Sequence, residues 1–388
     1  MNRTKIVLLG ATGSIGASAC NCIRRFPDRF EIAGLSANNS LEKLAALALE
    51  FKPKAVCISG PAAEDGPDNR FGPGVRIFTG ESGLEKLVAE TEFDILLNAL
   101  VGAVGLRATI AALGKNKRVA LANKESLVIG GDCIAAFLRD GHGSIVPVDS
   151  EHSAILQCCA GADRAAVESI ILTASGGPFR ALPLDKFRNI RPADALNHPT
   201  WSMGKKITID AATLVNKGFE VIEAHHLFAM PYDRLRVLVH PQSVVHSMVE
   251  FHDGAVMAQM GVPDMELPIQ YALSYPERLP SAAKRLDLAA IRELSFFEPD
   301  YERFPCLRLC LDAGRIGGTM PAALNAANEV AVAAFLDGGL RFDRIAYVLR
   351  AAMDSHSPAP ATSLGAVEKA DRAAREFAAK TISNITRA

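Results

Sequence analysis

Asp149-Ser150-Glu151 sets two carboxylates two residues apart, directly after the apolar run Ser144 to Val148. In extended chain such residues face the same side. Two carboxylates on one face repel unless a cation or a proton intervenes. Oxygen donors alone suit Mg²⁺ or Mn²⁺, not Zn²⁺. Taken alone, the same three residues are equally an exposed acidic turn. Glu220, in Lys217-Gly218-Phe219-Glu220, opens a helical pattern through Val221, Ala224 and Leu227. It can add a third carboxylate, and Lys217 can offer a cation to a phosphate. By itself this segment is explained as a helix start with an acid at its favoured end.

Anion chemistry has three further candidates. Gly10-Ala11-Thr12-Gly13-Ser14-Ile15-Gly16 follows the first apolar run and opens the first helical pattern. There the glycines permit a tight turn and the helix N-terminus favours a pyrophosphate. Asn38-Asn39-Ser40 follows the second strand pattern, where NAD binders place an acid for the ribose. Small polar groups there lean towards NADP. Ser175-Gly176-Gly177 offers consecutive amides after a strand, either an anion nest or a plain turn. The only tryptophan, Trp201, lies in the loop His198-Pro199-Thr200-Trp201-Ser202-Met203-Gly204. An aromatic in such a loop suits a lid that excludes water.

These residues need a scaffold. The first 145 residues alternate short apolar runs (Lys5–Leu9, Phe30–Ser36, Ala55–Ser59, Asp94–Asn98, Val119–Leu121) with helical stretches at 15–25, 41–51 and 106–114. Residues 60–75 read as a loop. Such units predict a parallel sheet covered on both faces. The middle third reads as α+β, with strands at 167–174, 236–239, 245–251 and 255–260. The last two are joined across the turn signal His252-Asp253-Gly254. Pro276 to Pro305 is rich in proline and charge. Beyond it, helices are expected at 322–336, 343–353 and 364–379, a small bundle.

Composition narrows the function classes. The 388 residues are 49% hydrophobic and 22% charged, with 42 basic and 43 acidic side chains and a net charge of −1. No nucleic-acid footprint or polybasic anchor is expected from this balance, and any bound anion must be held locally. Eight cysteines show no Cys-x-x-Cys pair and read as core residues of a cytoplasmic protein. No apolar run is long enough for a signal peptide or a membrane span.

Together the motifs resemble those of the 1-deoxy-D-xylulose 5-phosphate reductoisomerase family. The carrying stretches are GATGSIG (10–16), NALVGAVGL (98–106), LANKESLV (121–128), PVDSEHSAI (147–155), SGGPF (175–179), HPTWSMGKKITIDAATLVNKGFE (198–220), VHPQSVVHSMVEF (239–251) and ALNAANEVAVAAFL (323–336). The resemblance implies an α/β architecture: an N-terminal Rossmann-like parallel sheet (1–149), an α+β catalytic domain (150–276), a linker (277–304) and a C-terminal α-helical bundle (305–388). It implies an NADPH- and divalent-metal-dependent rearrangement and reduction of 1-deoxy-D-xylulose 5-phosphate to 2-C-methyl-D-erythritol 4-phosphate, on the non-mevalonate route to isoprenoids. It also implies a cytoplasmic homodimer.

Residue by residue, the resemblance makes Asp149, Glu151 and Glu220 the ligands of Mn²⁺ or Mg²⁺. Lys124 and Glu151 are its catalytic pair. Lys124, Ser150, Glu151, Ser175, His198, Trp201, Met203, Asn216, Lys217 and Glu220 are its substrate contacts, with Trp201 and Met203 on a flexible lid. Thr12, Gly13, Ser14, Ile15, Asn123, Glu125 and Gly204 are its nucleotide contacts; at the 2′-phosphate position Asn38, Asn39 and Ser40 depart from the family, which often has a Gly and then a basic or polar residue before Asn. One departure stands out: Ala211 replaces the family's phosphate-contacting serine. Two other readings remain for comparison, an NADP-dependent dehydrogenase of another phosphorylated substrate and a catalytically silent NADPH sensor.

Overall fold

The computed structural model describes residues 3–61, 69–201 and 203–387, apart from the side chains of 386 and 387. The chain forms two compact units. The first comprises 1–126, 134–153 and 264–283; the second comprises 127–133, 154–263 and 284–388.

The first unit is built on seven parallel strands: β1 (Thr4–Leu9), β2 (Phe30–Ala37), β3 (Ala55–Ile58), β4 (Arg76–Thr79), β5 (Ile95–Asn98), β6 (Arg118–Leu121) and β7 (Ser144–Pro147). Their order is β4-β3-β2-β1-β5-β6-β7, and every neighbouring pair is parallel. Ile6, Val7, Leu8 and Leu9 are fully buried, as a strand covered on both faces requires. The strand order runs outward in opposite directions from β1 and β5, so their carboxyl ends flank the crevice where such sheets bind ligands. The helix Glu266–Ser274 and the residues after it join this unit through polar ties. Arg25 pairs with Glu266 at 3.0 Å, Arg29 with Glu277 at 2.5 Å, and Arg118 donates to the Tyr275 carbonyl at 2.8 Å.

The second unit holds a mixed sheet of β8 (Val167–Ala174), β9 (Leu235–Val239), β10 (Val245–Phe251) and β11 (Val256–Met260), in the order β11-β10-β8-β9. β10 and β11 form the expected hairpin, closed by the Phe251 amide on the Ala255 carbonyl at 2.9 Å. The helices Pro305–Ile316, Met320–Leu336, Ile345–Ser355 and Leu364–Arg387 belong to the same unit.

Several elements go beyond the sequence reading. Strand β4 and the helix Gly80–Glu90 follow the loop expected over 60–75, of which 62–68 lie outside the described residues. β4 is a short, largely exposed strand at the sheet edge, with little apolar pattern to read. The helix Lys124–Arg139 carries Gly130-Gly131, a breaker signal, and Gly130 does leave helical geometry at φ −124°, ψ 19°. Pro305 starts a helix, as proline at the first helical turn can. The region 277–304 contains the short helix Leu288–Ile291 and a bridge from Phe297 to Val239. Seven of the eight cysteines are buried and Cys159 is half-buried, so they do serve the core.

Candidate active site

In the first unit, β1 ends at a turn that only glycine fits. Gly10 has φ +76°, and a Cβ there would lie 2.5 Å from the Ala99 carbonyl oxygen, just past β5. A Cβ on Gly16 would strike the Gly10 carbonyl and the Ala11 backbone. The buried Ser36, ending β2, braces the turn: its Oγ accepts from the Gly10 amide at 3.1 Å and its carbonyl from the Ala11 amide at 2.8 Å. The helix Ser14–Arg25 then begins at Gly13 with no side-chain cap. Thr12 and Ile15 are half-buried, while Gly13 and Ser14 are exposed. Backbone approach without Cβ atoms and an uncapped helix start fit a dinucleotide pyrophosphate. Asn38, Asn39 and Ser40 are exposed at the carboxyl end of β2, where a ribose would be read.

Asn123 and Glu125 sit differently from surface contacts. Asn123 is buried and caps the helix Lys124–Arg139. Its Oδ1 accepts from the amide of Ser126 at 3.2 Å and from that residue's hydroxyl. Its Nδ2 faces the carbonyls of Leu100 and Gly102, both at 3.0 Å, and Glu125 Oε2 at 3.1 Å. The side chain thus organises the loop after β5. Asn98, unnoticed in the sequence, does the same from the other side, donating to the Gly105 carbonyl and the Thr109 hydroxyl, each at 2.9 Å.

Lys124 and the acidic pair follow the next two strands. β6 leads to Lys124 and β7 to Asp149, and Leu121 pairs with Pro147 across these neighbours. Lys124 Nζ is 2.7 Å from Asp149 Oδ2, with both side chains largely buried. The expectation that Asp149 and Glu151 align along extended chain is corrected. Asp149 precedes the helix Ser150–Cys158, and Glu151 stands in its first turn. The Glu151 amide donates to Asp149 Oδ1 at 3.2 Å, and carboxylate oxygens of the two residues lie within 4.8 Å. The Ser150 hydroxyl donates to Glu151 Oε2 at 2.6 Å. The buried His152 Nδ1 lies 3.7 Å from Asp149 Oδ1; the i, i+3 spacing was the available signal, visible only once the helix start is known. Two half-buried carboxylates converging beside one lysine, all with oxygen donors, fit Mg²⁺ or Mn²⁺.

In the second unit, the helix Val215–Phe228 carries Asn216, Lys217 and Glu220. Glu220 is buried. Its Oε1 accepts from Asn216 Nδ2 at 2.6 Å, and its Oε2 pairs with the Lys217 ammonium. Lys217 is therefore committed to Glu220 here. Asn216 Oδ1 is buried with no hydrogen-bond partner among the described residues, an acceptor suited to a hydroxyl.

Ser175 ends the run from β8. Gly176 and Gly177 follow with φ +81° and +66°. The Ser175 Oγ lies 3.1 Å from His198 Nε2 and 3.2 Å from the Gly177 amide. His198 Nδ1 accepts from the amides of Thr200 at 3.2 Å and Trp201 at 3.0 Å. Those two amides fix the tautomer, so Nε2 bears the proton and donates to Ser175. With both lone pairs of Oγ engaged, the serine's own proton is left to donate. Burial lowers the His198 pKa and favours this neutral form. Trp201 and Met203 are half-buried, Trp201 with its ring 6.3 Å from that of the buried His246. Gly204 is exposed and precedes the helix Lys205–Thr213, which carries Ala211. That helix packs against the anion turn: a Cβ on Gly177 would lie 2.8 Å from the Ala211 carbonyl oxygen.

Comparison with known proteins places this architecture. Residues 6–131 match the family model described as 1-deoxy-D-xylulose 5-phosphate reductoisomerase, and residues 145–228 match the model of its C-terminal domain. Residues 260–377 match the DXP reductoisomerase C-terminal domain. The chain is 47% identical over 378 residues to the 1-deoxy-D-xylulose 5-phosphate reductoisomerase of Thermodesulfovibrio yellowstonii, covering 97% of this chain and 99% of the relative. It is 48% identical over 384 residues to that of Pelotomaculum thermopropionicum, covering 98% and 99%. Among solved structures, the Zymomonas mobilis enzyme in complex with NADPH is 42% identical with a TM-score of 0.91, over 98% of this chain and 99% of that one. A DOX-P reductoisomerase in complex with NADPH, fosmidomycin and magnesium is 40% identical with a TM-score of 0.92, over 98% and 99%. This chain belongs to the 1-deoxy-D-xylulose 5-phosphate reductoisomerase family.

Proposed function

We propose that this chain converts 1-deoxy-D-xylulose 5-phosphate to 2-C-methyl-D-erythritol 4-phosphate, using NADPH and Mg²⁺ or Mn²⁺. The observation that carries it is the Asp149–Glu151 pair beside Lys124 at the ends of β6 and β7. A plain hydride-transferring dehydrogenase has no use for converging carboxylates. A bound cation would supply Lewis-acid polarisation of the ketone, and NADPH the hydride.

The protein's own groups do the rest. Asp149 and Glu151, with Glu220 as the third carboxylate, hold the cation's place. Lys124, buried against Asp149, donates to developing negative charge near the reacting carbons, and Glu151 takes part in proton movement. Ser150 orients the Glu151 carboxylate through its hydroxyl. The Ser175 proton, aimed by His198, meets a phosphate oxygen, with the Gly176–Gly177 turn and Lys217 nearby in the same role. Asn216 accepts from a substrate hydroxyl through its unpartnered Oδ1. Phosphate binding remote from the chemistry orients the substrate and favours a closed lid at Trp201 and Met203. The dinucleotide lies along Thr12–Ile15, with Asn123, Glu125 and Gly204 as further contacts and Asn38, Asn39 and Ser40 at the 2′-phosphate.

The proposed division of labour is nucleotide binding in 1–149, metal and substrate binding in 150–276, connection in 277–304 and helical support in 305–388. Family membership supports a cytoplasmic homodimer acting on a phosphorylated sugar. Among the described residues no helix is long and apolar enough to cross a membrane.

The function is tested by NADPH oxidation with 1-deoxy-D-xylulose 5-phosphate after metal removal and after adding Mn²⁺ or Mg²⁺. Oxidation that returns with the metal and yields a branched product is expected. NADPH binding without turnover would move the reading to a silent sensor. In the same assay, Ala211→Ser should lower the substrate KM. A new hydrogen bond to a charged group is worth about 1.5–3 kcal/mol, so tenfold or more is expected. An unchanged KM would mean that the site already compensates.

The His198 contacts give a pH prediction. Its folded pKa lies below the ordinary 6.5 through burial. Its contribution is therefore present above pH 6.5 and lost as pH falls through the lowered value. Protonation of Nδ1 turns away the Thr200 and Trp201 amides. The emission of Trp201, the only tryptophan, should stay constant down to pH 6.5 and shift to the red below it. A transition centred above pH 6.5 would contradict the assigned tautomer.

A further inference from the structure

We infer that Asn328, on the helix Met320–Leu336, is a positioning residue for phosphate recognition, acting through Asp210 on the helix that backs the Ser175–Gly177 turn. The inference rests on the functional reading above, which makes that turn the phosphate site.

Asn328 is fully buried, and its Nδ2 donates to Asp210 Oδ1 at 2.8 Å. Asp210 is itself buried; its second oxygen pairs with Lys206 Nζ at 2.8 Å, one helical turn back. A buried carboxylate must have both oxygens satisfied. Lys206 supplies the charge and Asn328 the remaining donor. The orientation of the amide is not arbitrary: flipped, Asn328 would point its carbonyl at a carboxylate. As placed, Asn328 Oδ1 has no hydrogen-bond partner among the described residues, so the residue is kept for its donor.

Asp210 adjoins Ala211, and the Ala211 carbonyl and Ala212 Cα lie directly under Gly177. The helix Lys205–Thr213 thus approaches the turn so closely that not even a Cβ fits between them, and its position sets the floor of the turn. The same helix Met320–Leu336 grips the turn from a second direction. Phe335 meets Phe342 edge to face at 5.5 Å, and Phe342 meets Phe179 at 5.2 Å. Phe179 follows the turn by two residues. The turn and its backing helix are thus both referenced to one helix of the C-terminal region.

The test compares Asn328→Ala and the nearly isosteric Asn328→Leu with the native protein. Four quantities are read: kcat, KM for the phosphorylated substrate, KM for NADPH, and the inhibition constant of inorganic phosphate. A positioning role predicts that substrate KM and the phosphate inhibition constant rise together by about tenfold, with kcat within about twofold and NADPH KM unchanged. Unchanged substrate KM and phosphate inhibition in whichever variant folds would overturn the inference. So would a parallel loss of kcat and both KM values, the mark of general damage. Native protein that binds NADPH but never turns over would defeat the functional reading alone. Phosphate binding to native and Asn328→Leu protein by calorimetry would then still decide the role of Asn328, with equal affinity refuting it.

Discussion

Two carboxylates held within 4.8 Å of each other, against their mutual repulsion, are the constraint around which the first unit is organised. Lys124 stands 2.7 Å from one of them and offsets part of that repulsion in a largely buried setting. The parallel sheet makes this arrangement possible. β6 and β7 are neighbours in register, so the residues that follow them emerge side by side. The glycine turn after β1 opens on the same edge, at the crevice between β1 and β5. A single rule, parallel strands with their carboxyl ends together, thus brings a cation, two acids and an anion-binding turn to one face.

In the second unit, hydrogen bonds aim a donor outward at the Ser175–Gly177 turn. Lys217 is paired with Glu220, and the donor that the turn itself presents is the Ser175 hydroxyl. Two amides on His198 Nδ1 fix its tautomer, the tautomer fixes the serine, and the serine's proton is left to point outward. Ala211, on the helix beside this turn, offers it no hydroxyl.

Much of this was legible in the sequence, because chemistry and local spacing coincide. The turn at 10–16 and the loop around Trp201 stand out by residue type, whereas the acids at 149, 151 and 220 were joined into one set only by the family resemblance. Geometry was less legible. Asp149 and Glu151 come together at a helix start rather than along a strand, because the chain turns into helix at Ser150. The helices at 124–139 and 305–316 were hidden by a glycine pair and a proline that each element accommodates at a kink or an end. Asn98 and Asn328 act by hydrogen bonds to partners farther along the chain or to backbone. No spacing rule reveals such bonds before the fold is known.

Direct metal binding tests most cleanly whether the Asp149–Glu151 site holds a divalent cation. Metal-free protein would be titrated with Mn²⁺ while the signal of the free ion is followed by electron paramagnetic resonance. A single tight ion per chain is expected in the native protein, lost in Asp149→Asn and in Glu151→Gln while NADPH binding is retained. Undiminished Mn²⁺ binding in both variants would contradict it.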